Sequence, residues 1–85
     1  MMVLPYAVYI LKCNDNTYYT GYSTNIINRL KSHQSGEVKY TKSRLPIKLE
    51  HVSFFNEKQK AYNFERYLKT GSGIAFRNKR FSQTL

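Results

Sequence analysis

Acidic side chains are scarce in this 85-residue chain: five Asp and Glu stand against fourteen Lys and Arg, for a net charge of +9. An imbalance of that size bears on partners rather than on fold, and a polyphosphate is the partner it favours. A membrane surface is the competing reading, but no long basic amphipathic helix stands apart from the rest. Cysteine is nearly absent as well. The single Cys13 excludes an intrachain disulfide and a cysteine-built zinc site, and it suits a reducing compartment. No apolar run is long enough to cross a bilayer. The opening MMVLPYAVYIL lacks a charged n-region and a small-residue cleavage site, so no signal peptide is expected and the expected location is the cytoplasm. Repeats, low-complexity stretches and linkers are missing too. One domain, residues 1–85, is expected, with a small core in which eight Tyr and five Phe carry much of the burial.

What is present is a tyrosine-rich opening. Residues 6–13 read as a strand apolar on both faces, with Tyr6, Val8 and Ile10 on one and Ala7, Tyr9 and Leu11 on the other. Such a strand needs cover on both sides. Asn14-Asp15-Asn16 has turn chemistry, and residues 17–22 return as the second strand of a hairpin. With that pairing Tyr9 and Tyr19 share a face, opposite or diagonal to each other. Ser23, Thr24 and Asn25 are candidate caps for a helix, INRLKSHQ, ended by Gly36, with Ile26, Ile27 and Leu30 as its apolar face and Arg29 and His33 as surface neighbours. Residues 37–46 read as a basic loop stopped by Pro46, and 47–55 as a third strand, on which Glu50 faces outward if Leu49 faces inward. A helix capped by Asn56 and ended by Gly71 follows, then a short basic helix, IAFRNKRF. The expected fold is of the α/β class, α+β type: a small three-stranded antiparallel sheet flanked by helices, in the order β-β-α-β-α-α.

One residue breaks the pattern. Ala61, Phe64 and Leu68 make an apolar helical stripe, yet Glu65 occupies a position beside it. A buried carboxylate must be paired or bound to metal. Two readings stay open: an ion pair with Arg29 or another cation, or an edge position reaching solvent, on one side; a magnesium site built on one carboxylate on the other, since magnesium keeps several waters and takes substrate phosphates as ligands.

The ordered set of residues resembles the GIY-YIG nuclease superfamily, in particular its small stand-alone bacterial members. Ala7-Val8-Tyr9 stands where the first motif lies, and Tyr19-Thr20-Gly21 stands at the second. Arg29, His33 and Glu65 match the catalytic arginine, a His-or-Tyr position and the metal-binding glutamate, and KYTKSRLPIKL and YLKTGSGIAF are similar to segments of the stand-alone subgroup. Ala7 and Val8 replace the eponymous Gly and Ile, and Tyr22 replaces a lysine found in some members. The resemblance implies an endonuclease that hydrolyses DNA phosphodiester bonds with Mg²⁺ or Mn²⁺ held by Glu65, in a setting such as DNA repair. It implies Arg29 on the phosphate and a tyrosine as base, for which Tyr9 is the favoured choice, with Tyr19 as orienting partner and His33 as proton relay. A free phenol titrates near ~10, so a basic role near neutrality would need cationic neighbours.

Lys39, Tyr40, Lys42 and Arg44 interleave cations with aromatic and hydroxyl groups, a pattern that fits phosphate contacts, and Arg77, Lys79 and Arg80 would extend the patch. Gly71-Ser72-Gly73 reads more simply as a helix end meeting a helix start than as a phosphate cradle. The alternative function is a nucleic-acid-binding module, for DNA or RNA, that does not cut. A monomer is expected, with any targeting of DNA left to a protein partner.

Overall fold

The hairpin forms where the two tyrosine-rich runs meet. In the computed structural model, which describes residues 4–70, β1 spans Tyr6–Lys12 and β2 spans Tyr18–Ser23. The Asp15 carboxylate accepts from the Thr17 backbone N–H at 3.1 Å, and Asn16 takes a φ of 66°, a left-handed backbone that asparagine tolerates. Then come α1 (Ile26–Gln34), a single helical turn α2 (Lys39–Lys42), β3 (Lys48–Phe55) and α3 (Lys58–Leu68). The sheet is antiparallel throughout, in the order β2-β1-β3. The fold is the expected α+β one, a three-stranded antiparallel sheet with helices. The closing helix expected after GSG, with Arg77, Lys79 and Arg80, lies outside the described residues.

The central strand explains its own composition. Ala7, Val8, Tyr9, Ile10 and Leu11 are all buried, because β1 has a strand on each edge and helices over both faces. On one face Val8 and Ile10 pack with Ala61 and Leu68 of α3, ringed by Tyr6, Tyr18, Tyr22, Phe55 and Phe64. Tyr6 stacks on Tyr22 at 6.4 Å, so these two tyrosines are packing residues. Tyr9 and Leu11 alternate to the opposite face, where α1 and α2 bring His33 and Thr41.

Four local expectations are corrected. The apolar face assigned to α1 is right for Ile26 and Leu30 but not for Ile27, which is 60% exposed: the inward stripe at i, i+3, i+4, i+7 is completed by Arg29 and the fully buried His33. The basic loop contains α2, which brings Thr41 into the interior. Glu57, in extended backbone, is the N-cap of α3 in place of Asn56, and no side-chain bond caps the helix. Leu49 is 40% exposed and Glu50 is partly buried, because pairing runs from Ile10↔His51 to Leu11↔Leu49 and leaves Glu50 as the extra residue of a bulge. That bulge reverses the alternation read from the sequence.

Candidate active site

Tyr9 sits at the centre of the sheet with its side chain fully buried. Gly21 is its partner on β2, and the phenol lies directly over that glycine. A Cβ at Gly21 would collide with the Tyr9 Cζ and hydroxyl and come within 2.9 Å of Tyr19 Cε1. The glycine is therefore a matter of space for two rings, not of backbone freedom. Tyr19 pairs with Leu11, two residues along β1, which makes it the diagonal neighbour of Tyr9 on the same face, with ring centroids 6.2 Å apart.

α1 supplies the polar partners. Its N-cap, Asn25, accepts from the Asn28 N–H through Oδ1 at 3.2 Å, and from this start Arg29 and His33 fall one turn apart on the inward stripe. Arg29 Nε donates to the Tyr9 hydroxyl oxygen at 3.3 Å. His33 Nε2 lies 2.8 Å from the same hydroxyl, and His33 Nδ1 lies 2.8 Å from Thr41 Oγ1 on α2. Tyr19 packs edge-on against His33 at 4.9 Å and tilts against Tyr40 at 5.4 Å. The Arg44 guanidinium covers Tyr40 at 4.0 Å, pairs with Asp15 at 3.0 Å and donates to the Tyr40 carbonyl at 2.7 Å. Arg44 thus pins α2 to the hairpin turn, while Lys39 and Lys42 remain exposed.

An arginine and a histidine have converged on one buried hydroxyl, beside a second tyrosine from the neighbouring strand. A family model described as the GIY-YIG catalytic domain matches residues 5–79 of the chain. The chain belongs to the GIY-YIG family. It is 44% identical over 70 residues to a UPF0213 protein of Streptococcus agalactiae, covering 81% of this chain and 80% of that one. A UPF0213 protein of Halobacterium salinarum is 41% identical, over 73% of this chain and 82% of its own. Among solved structures, the solution NMR structure of a UPF0213 protein from Bacillus halodurans superposes with a TM-score of 0.56 at 34% identity, covering 89% of this chain and 85% of that one. GIY-YIG is a nuclease-type family, and the small stand-alone character expected from the sequence agrees with these relatives.

Within the GIY-YIG site, the electrostatics run against one expectation. A basic role for Tyr9 near neutrality would need cationic neighbours to acidify it; instead burial pushes its phenol up to about 12, outweighing the hydrogen bond from Arg29, with Tyr19 adding to the rise. His33 is driven down to about 4, by burial first and by the Arg29 charge second, so it is neutral at pH 7. Glu65 makes no hydrogen bond or ion pair with this cluster among the described residues. Its side chain is 19% exposed and its carboxylate pairs with Lys69, one turn on, at 3.1 Å, so among the described residues its partner is Lys69 and not Arg29. No group of three or more His, Cys, Asp or Glu able to hold a metal occurs among the described residues. The burial of Thr41 was missed, since a threonine between Tyr40 and Lys42 in a basic stretch carries no signal of it in the sequence.

The neutral His33 has a consequence for stability. Well above pH 6.5 the imidazole is uncharged whether the chain is folded or not. Below it the unfolded chain binds the proton first, so stability falls as pH drops from about 6.5 to about 4, by up to about 3 kcal/mol. Asp15, whose carboxyl is lowered chiefly by its bonds from Thr17, contributes only below that window. Urea unfolding at pH 7.5 and pH 4.5 measures the loss, and His33→Gln is expected to flatten it; a slope unchanged in the variant would place the titrating group elsewhere.

Proposed function

We propose that this protein is a metal-dependent endonuclease that hydrolyses DNA phosphodiester bonds as a monomer. The observation that carries this reading is the buried hydrogen-bonded chain from Arg29 through Tyr9 to His33. A purely structural tyrosine does not need an arginine and a histidine on one oxygen, and groups of this kind cluster where protons are moved. Tyr9 cannot wait as a phenolate, because burial holds its proton. It acts instead as a pass-through base. Its oxygen takes a proton from the attacking water as its own proton moves to His33 Nε2, the water oxygen bonds to phosphorus, and the ester bond to the leaving oxygen breaks. Arg29 spreads positive charge over the phosphate through its planar guanidinium. A phosphate there would also offset the Arg29 charge that disfavours imidazolium, making His33 a better acceptor once substrate is bound. Tyr19, wedged between Tyr9, His33 and Tyr40, keeps the acceptor and donor rings in place.

Glu65 is the residue that would hold Mg²⁺ or Mn²⁺. Its donor set is one partly exposed carboxylate, which suits an ion that keeps several waters and completes its shell with substrate oxygens, and does not suit a protein-built cage. When bound, the ion stabilises charge on the scissile phosphate and the leaving oxygen.

The test is incubation of the purified chain with branched, single-stranded and duplex DNA in EDTA, Mg²⁺ or Mn²⁺. Cleavage that requires metal supports the proposal. Binding to every substrate with cleavage of none would leave the non-cutting nucleic-acid module in its place. Affinity itself should be salt-sensitive. Lys39 and Lys42 are exposed, so Lys42→Ala is expected to lower the slope of log K against log salt by about 0.7 to 0.9 without abolishing turnover. Fluorescence anisotropy at several salt concentrations reads this, and an unchanged slope would remove Lys42 from the interface. Arg44, already occupied by Asp15 and Tyr40, is a clamp first, and its loss should show in stability as well as in binding.

A further inference from the structure

We propose that Thr41 is a positioning residue that holds His33 in the tautomer protonated at Nδ1, leaving the Nε2 lone pair aimed at the Tyr9 hydroxyl. The proposal rests on the Tyr9-to-His33 proton transfer described above and adds the group that sets its direction. It follows from counting protons along the chain of bonds. Arg29 can only donate, so at that contact the Tyr9 oxygen accepts, at 3.3 Å. At the far end the Thr41 hydroxyl lies 3.4 Å from the Val38 carbonyl, which can only accept. A threonine hydroxyl has one proton. Spent on Val38, it leaves the Thr41 oxygen as an acceptor, and the 2.8 Å contact to His33 must then be Nδ1–H donating to Oγ1. A neutral imidazole protonated at Nδ1 is bare at Nε2, so the 2.8 Å contact to Tyr9 is the phenol donating to His33. Every bond in the series then runs one way, from Arg29 through Tyr9, His33 and Thr41 to Val38.

The opposite order has a chemical cost. Were Thr41 to donate to Nδ1, Nε2 would carry the hydrogen and point it at Tyr9, which already accepts from Arg29. Tyr9 would then have no acceptor on His33 for its proton. One hydroxyl therefore separates a histidine that can take the phenolic proton from one that cannot. Thr41 is suited to the part: it is fully buried, and its turn is anchored on both sides, by the Arg44 N–H bond to the Thr41 carbonyl at 2.9 Å and by the Arg44 side chain on Tyr40 and Asp15.

The experiment is long-range ¹H–¹⁵N NMR of the full chain labelled at histidine, at pH 7. The chain has two histidines, and the His33 signals are those lost in His33→Gln. The wild-type protein is expected to show His33 protonated at Nδ1 and bare at Nε2; the reverse pattern overturns the proposal before any variant is made. Thr41→Val keeps the shape and removes the hydroxyl. It is expected to populate the Nε2-protonated form and to lower kcat on DNA about 10- to 100-fold, with KM little changed. Thr41→Ser is expected to restore both the tautomer and the rate. A valine variant that keeps the Nδ1 proton, or a serine variant that folds but rescues neither readout, overturns the assignment. Should Thr41→Val not fold, the wild-type and serine spectra still decide it. A wild-type chain with the expected tautomer that cuts no DNA would defeat the nuclease reading while leaving the role of Thr41 in orienting His33 intact.

Discussion

Tyr9→Phe is expected to lower metal-dependent DNA cleavage by about 10²- to 10⁴-fold, the range that positioned proton transfer contributes. The ring that covers Gly21 and meets Tyr19 stays, so the fold and the DNA-binding surface should persist, with affinity within a few-fold of wild type. Stability will not be untouched. Removing the hydroxyl strips Arg29 Nε of an acceptor and His33 Nε2 of its donor, and a buried polar group left alone costs about 1–3 kcal/mol. Part of that cost falls away at Arg29, which is only half-buried and can turn to water. A lower melting temperature with cleavage lost per folded molecule is therefore the expected signature, measured by circular dichroism beside a gel-based cleavage assay. A folded phenylalanine variant that cuts at the wild-type rate removes Tyr9 from the chemistry and directs the same test to Tyr19.

The features legible in the sequence are those that repeat. Five consecutive apolar residues in β1 announced a strand covered on both faces, and the alternation along the hairpin placed Tyr9 and Tyr19 on one side. Ala61, Phe64 and Leu68 announced the packed face of α3 in the same way. Single events were not legible. The bulge at Glu50 shifts the register by one residue, and no period reveals one extra residue. α2 is one turn long, too short for a pattern, yet it delivers Thr41 to the site. His33 was singled out by the resemblance and by its place one turn from Arg29, but its burial was not legible, because helical polarity alone cannot distinguish a solvated face from one turned toward a buried hydroxyl. The sign of the Tyr9 shift was not legible for a related reason. Counting cations ranks Arg29 highly, whereas the dominant influence is burial, which becomes visible only when the strand is known to be the central one.

Glu65→Gln is expected to abolish Mg²⁺-dependent cleavage while leaving the metal-free protein about as stable as wild type. The position of Lys69 sharpens this expectation. Had Glu65 neutralised a buried Arg29, its loss would strand a cation and cost several kcal/mol. Its partner is instead the exposed Lys69 at i+4, a kind of pair that contributes only about 0.3–0.5 kcal/mol. The melting temperature in EDTA therefore cannot explain a loss of activity, and cleavage reads the role of the carboxylate almost alone. Lys69 supplies the control. Its ammonium occupies the oxygen that a divalent ion would take, so Lys69→Met should raise the apparent affinity for Mn²⁺ in a cleavage titration, and the Glu65→Gln protein should show no response to Mn²⁺ at any concentration. Full cleavage by a folded glutamine variant would return Glu65 to a purely structural part in α3. Loss of cleavage in that variant, with tighter Mn²⁺ dependence in the methionine variant, assigns the ion to the one carboxylate that interrupts the apolar stripe of α3.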